Sequence, residues 1–147
     1  MQGRVLSTVF AYLPPDRRGA ARHIMLDAAR AAGTDLDSEF AITHFVDADP
    51  ATPDGGVALG LAAVAQSIGD PRHRHPALAA CAPALARHAT ALAEPVWEAV
   101  RTRSANRRRA EVLGDLAATA PVLAALGGDR FAAALAAVTL DVVRWWP

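Results

Sequence analysis

The feature that most constrains this chain is that it repeats. Leu78 to Ala86 reads LAACAPALA and Leu116 to Ala124 reads LAATAPVLA, with seven of nine positions identical at an offset of 38. Ala richness inflates that score but does not account for the paired Leu and Pro positions. A fainter copy, Leu6 to Leu13, keeps apolar residues at the first, fourth, fifth and eighth places, and a degenerate one runs from Ser38 to Phe45. A second ladder lies between these: Leu26 to Asp35 (LDAARAAGTD) sits about 36 residues before Ala62 to Pro71 (AAVAQSIGDP). A single helix pair of this size cannot bury its apolar stripe alone; stacking neighbouring units buries it.

Each unit carries two helix signals. The first helix shows apolar residues at i, i+3, i+4 and i+7: Leu6, Val9, Phe10 and Leu13; then Leu78, Cys81, Ala82 and Leu85; then Leu116, Thr119, Ala120 and Leu123, the stripe of a 3.6-residue period. The second helix is Ala-rich and ends at Gly33 or Gly69, as a glycine just past a helix end would end it. Asp70-Pro71 reads as an N-cap followed by Pro at the first helical position, and Asp16, Asp54 and Asp129 are further N-cap candidates. Helices are expected over 3–13, 17–32, 37–46, 56–68, 72–87, 91–103, 107–124 and 130–145. Pro83 and Pro121 should bend or terminate the last turns of their helices. Asp47 to Gly56 is a turn-rich loop inside the second unit. The predicted fold is all-α: a solenoid of about four helix-pair repeats with a period near 36 residues. It forms a single domain over 1–147, with units 1–34, 35–70, 71–104 and 105–147.

Composition agrees with that class. Hydrophobic residues make up 52% of the 147 and charged residues 20%, which excludes a disordered chain. Ala is the best helix former, and strand-favouring residues are sparse. The single cysteine, Cys81, excludes an internal disulfide framework and a Cys-based zinc site, and suits a reducing, cytoplasmic setting. No run of 18 apolar residues occurs, so no membrane span is expected, and the N-terminal stretch lacks the marks of a signal peptide. Every basic residue is Arg, with no Lys; together with the Ala content this is the bias of high-GC bacterial coding.

Fifteen bases balance fifteen acids, but unevenly. No Arg falls between Arg30 and Arg72, an interval holding Asp35, Asp37, Glu39, Asp47, Asp49, Asp54 and Asp70. Arg101, Arg103, Arg107, Arg108 and Arg109 then cluster within nine positions. Such polarity forms solvated faces, or acidic and basic surfaces that meet a partner or each other head to tail. Without interleaved aromatics the Arg cluster argues against nucleic acid.

The stretches Phe10-Ala-Tyr-Leu-Pro-Pro-Asp-Arg17, Ala28 to Asp35, Ile68 to Leu85, and Leu116 to Gly128 through Val143-Arg-Trp-Trp-Pro147 resemble a known pattern. They are similar to the Ala- and Leu-rich helical repeats, TPR- or HEAT-like, of large bacterial STAND signal-transduction NTPases. The likeness covers nearly the whole chain, is strongest after residue 60, and matches the C-terminal portion of such an array. It implies a sensor or scaffold segment. The family's nucleotide-binding parts are missing, since a P-loop needs a Lys.

Candidate chemistry is thin. His73 and His75 form an H-x-H whose rings diverge on a helix, so a solvated helix start is expected there rather than a metal. His23, His44 and His88 have no ligand-spaced acid or Cys, and no nucleophile is paired with a base by a recognisable spacing. Cys81 lies on an apolar stripe and should be an inert buried thiol. Trp97 reads as core filling. Of Trp145 and Trp146, one should cap the open apolar end and the other offers a binding anchor. The expectation is a non-enzymatic protein-interaction module without cofactor or metal. Its partner contacts are assigned to Arg101, Arg103, Arg107, Arg108, Arg109, Trp145 and Trp146, with self-association as a further possibility. The alternatives are a small-molecule sensor with an apolar inter-helix pocket and a self-associating adaptor of an effector system.

Overall fold

The computed structural model describes residues 8–50, 54–89, 102 and 107–145. All regular structure among them is helical, with no strand. After a helical turn at 8–10 the elements are α1 (Pro15–Arg30), α2 (Asp35–Ala48), α3 (Gly55–Ser67), α4 (Pro71–Arg87), α5 (Arg109–Ala118) and α6 (Ala120–Trp145). Of the expected helix over 91–103 only Thr102 is described, as helical, and Trp97 lies outside the described residues, as does the expected helix start at 3–7.

Helix starts follow the local chemistry of the chain. Asp54 Oδ1 accepts from the Gly56 and Val57 amides at 2.8 and 3.2 Å, capping α3. Asp70 Oδ1 accepts from the Arg72 amide at 2.9 Å, and Pro71 opens α4. That backbone hydrogen bond holds the Asp70 carboxyl below its ordinary range. Thr34, which carried no expectation, caps α2 by accepting from the Asp37 amide at 3.1 Å. Asp16 is not a cap: α1 starts one residue earlier, after Pro14, and Asp16 lies in the first turn. There it complements the positive end of the helix dipole.

The glycine stops differ from expectation. Gly33 and Gly69 do not adopt positive φ; among the described glycines only Gly128 does, at φ 65°. α1 and α3 instead end with Ala31 and Ile68, whose amides donate back into the last turn. At Gly69 the Asp35 carboxylate comes within 3.4 Å of where a Cβ would sit, and it accepts the Asp70 amide at 2.8 Å. Gly69 follows the C-cap Ile68 at the expected position past the helix end, but without a left-handed turn. Gly128 (ψ −173°) breaks α6 into two helical stretches, and Asp129 follows the break.

The two matched prolines behave differently. α4 runs through Pro83 without interruption. The helix expected over 107–124 is instead broken: α5 ends at Ala118, and the chain bends by 65° into the first stretch of α6. Pro121 cannot donate to the carbonyl of Ala117, and its ring collides with it, so the chain turns just ahead of the proline.

The core sits around α3 and α4. Leu78, Cys81, Ala82 and Leu85 are all buried, as their stripe requires, together with Val57, Ala58, Leu61 and Ala65 of α3 and Ile42 and Phe45 of α2. Phe10, Met25 and Leu26 close one end; Val122, with Leu126 packed against the cluster, closes the other. In the later copy of the stripe only Thr119 and Leu123 are buried, because the bend swings Ala120 outward. α4 packs against α2, α3, α5 and α6 and is the hub of the fold. No single described helix is long and apolar enough to cross a membrane.

Candidate interaction surface

The start of α4 is not a solvated patch. Arg74 is 1% exposed. Its Nε donates to Asp115 Oδ1 at 2.9 Å, one terminal nitrogen donates to the carbonyls of Ile68 and Gly69 at 3.1 and 2.9 Å, and the other donates to Glu111 Oε2 at 3.1 Å. Burial works against the charge of Arg74, but Asp115 and Glu111 outweigh it and leave its pKa raised. A guanidinium is the right group here: its planar fork serves two carboxylates and two carbonyls at once. His75 Nε2 lies 3.2 Å from Asp115 Oδ1 but off the hydrogen-bond direction. The His75 ring occupies the space above Gly114, where a Cβ would come within 2.1 Å of it. His73 Nδ1 meets Glu39 Oε2 of α2 at 2.6 Å. Both histidines are half-buried and tie α4 to its neighbours.

The described members of the Arg cluster, Arg107, Arg108 and Arg109, do not present a common face. Arg107 turns inward, donating to Asp115 Oδ2 and to the Gln66 carbonyl. Arg108 is exposed at the N-cap of α5, and Arg109 opens that helix half-buried. Arg101, Arg103 and Trp146 lie outside the described residues, and of Trp145 only the backbone, at the end of α6, is described. Cys81 is buried, which pushes its thiol up to about 12. That is an unreactive state. Among the described residues no three His, Cys, Asp or Glu side chains gather as metal ligands.

An open cleft of 410 Å3 lies between the end of α1, the start of α2 and α3. Its walls mix polar residues such as Thr34, Asp35, Ser38 and Ser67 with glycines and alanines and the aliphatic Val64 and Ile68, with no aromatic side chain.

Two helix faces stand out as exposed. On α2, Leu36 and Phe40 are 45% and 51% exposed, the His44 ring stacks on Phe40 at 6.2 Å, and Asp37 and Asp47 flank them in the open. On α6, Arg130, Ala133, Ala137, Leu140 and Arg144 are exposed. They fall at successive spacings of three and four along one stripe.

Sequence reasoning missed the buried Arg74 and the two exposed faces. The signal for Arg74 was present one period downstream: Glu111 and Asp115, at i and i+4 on one helix face, supply two acids to a single guanidinium. Phe40 was read only as part of a degenerate repeat. The chain matches no known protein-family model, no curated protein and no solved structure.

Proposed function

We propose that this chain is a non-enzymatic helical-repeat module that works by binding protein, as a sensor or scaffold segment of the kind found in bacterial STAND systems. The observation that carries the reading is a ladder of polar contacts spaced by one repeat. Asp35 reaches the Asp70 amide 35 residues away, Glu39 meets His73 at a separation of 34, and Arg74 meets Glu111 at 37. α2, α4 and α5 begin at Asp35, Pro71 and Arg109, spacings of 36 and 38. Among the described residues, α2 packs against α4 and α4 against α5, so the helices that begin successive units lie side by side. The charged side chains of the fourfold Arg74 site are thereby engaged in joining units, which leaves recognition to the outer faces.

The cleft beside α2 favours this reading over a small-molecule sensor. A pocket built to hold an apolar ligand is lined predominantly by hydrophobic and aromatic side chains, and this one is open, has no aromatic lining and has only Val64 and Ile68 as larger aliphatic residues. The resemblance to STAND repeats and the single buried thiol suit a cytoplasmic protein.

Capture experiments with the intact chain, alongside Phe40→Asp and Arg108→Glu, test the proposal. Both positions are exposed, so helical circular dichroism should be unchanged while a specific protein partner is lost from at least one variant. Turnover of a substrate by the purified chain, or a small metabolite that raises its melting temperature while every variant retains its partners, overturns it.

A further inference from the structure

The faces of α2 and α6 are complementary. The α2 face carries the apolar Leu36 and Phe40, with the acidic Asp37 beside Leu36 and Asp47 two turns beyond Phe40. The α6 face is apolar and small in the middle, with Ala133, Ala137 and the 69% exposed Leu140, and basic at its ends, with Arg130 and Arg144. At 1.5 Å per residue the acids lie about 15 Å apart along their helix and the arginines about 21 Å apart along theirs. A long Arg side chain spans that difference. Each face combines apolar residues with charged ones, as an interface does, and each offers what the other lacks.

We infer that a second copy of this chain occupies the α2 face, docking the Arg130–Arg144 stripe of its α6 there. The ring of Phe40 sits against Ala133 and Ala137, whose small side chains let the helices approach. Leu36 packs on Leu140, and Asp37 and Asp47 pair with the two arginines. The contact cannot close within one chain, because α4 packs against both α2 and α6 while these two share no substantial contact. One chain therefore carries both halves, and such a heterologous contact builds a head-to-tail ring where the rotation closes and an open string where it does not. The inference rests on the protein-binding reading above and names one partner for it.

Sedimentation velocity and light scattering on the purified intact chain test it. Oligomers should populate as concentration rises, as a closed ring of fixed size or as strings without a fixed stoichiometry. Raising salt from about 0.05 M to about 0.5 M should move the association midpoint up by roughly tenfold, since the rim charges become screened. Phe40→Ala should move it by about tenfold or more, the scale of a lost aromatic anchor. The double variant Asp37→Arg/Asp47→Arg and the double variant Arg130→Glu/Arg144→Glu should each be monomeric with unchanged circular dichroism, and an equimolar mixture of the two should associate again. A parent chain that stays monomeric at every concentration overturns the inference, as does self-association untouched by these variants. Because only purified chain is present, a monomer removes the second copy as occupant. It leaves the broader reading to the capture experiment.

Discussion

Asp115 holds more of the molecule together than any other single carboxylate described. One oxygen accepts from Arg74 and lies beside His75, and the other accepts from Arg107. Removing it takes a carboxylate from two little-exposed guanidiniums, leaving Arg74 with Glu111 and the Ile68 and Gly69 carbonyls and Arg107 with the Gln66 carbonyl. The loss is set by that unbalanced buried charge rather than by the net value of the pair, which desolvation keeps small. Asp115→Ala should lower the unfolding free energy by about 3–5 kcal/mol, read from urea denaturation. A loss below about 1 kcal/mol would put Asp115 on the scale of a surface ion pair.

Gly114 shows the same crowding from the other side. Within a helix, Ala should be better than Gly by about 0.5–1 kcal/mol. Here the new Cβ would meet the His75 ring and drive it off Asp115. The gain should be missing in the native background and reappear when the ring is gone. Gly114→Ala should thus stabilise a His75→Ala protein by about 0.5–1 kcal/mol, and equal gains in both backgrounds would show that the ring moves freely.

At the scale of elements, the paired prolines show how one repeated motif yields two structures. Pro83 sits deep in α4, where its missing N–H breaks the ladder of hydrogen bonds. Pro121 is the second residue of α6, where no intrahelical partner exists for an N–H. Pro83→Ala should therefore raise stability by about 1–2 kcal/mol, after the greater freedom it gives the unfolded chain is subtracted. Pro121→Ala should bring no comparable gain, and its effect should appear as added helix content by circular dichroism where α5 and α6 now bend. A stabilisation by Pro121→Ala as large as that of Pro83→Ala would show that the bend is strained.

At the scale of the whole molecule, Cys81 is a reporter built into the hub. It is 1% exposed in α4, the helix packed against four others. A thiol reagent reaches it only when α4 comes away from its neighbours. Labelling across a urea series should follow the same transition as the loss of helical circular dichroism, with one midpoint. Labelling that precedes the loss of helix would show units separating one at a time, the behaviour of a long repeat array rather than of one cooperative core.

Much of this was legible in the chain itself. The spacing of Leu78, Cys81, Ala82 and Leu85 specifies a buried helical stripe, since a 3.6-residue period puts those side chains on one face. Asp54 and Asp70 specify helix starts because a short carboxylate can reach the amides two and three residues ahead. These are local effects, decided within a few residues of chain. What lay beyond local chemistry was where each charged group ends up when helices meet. Arg72-His-Arg74-His75 reads as polar, yet Arg74 is buried because Glu111 and Asp115 arrive a full period later, and no window of sequence around Arg74 contains them. Pro83 and Pro121 share a motif but not a fate, because only the tertiary packing determines whether a helix is held straight through a proline or released to bend ahead of it. The exposure of Phe40 follows in the same way. Its residue type says that it can be buried, and only the arrangement of neighbouring helices determines that it stays half exposed, with the His44 ring stacked on it.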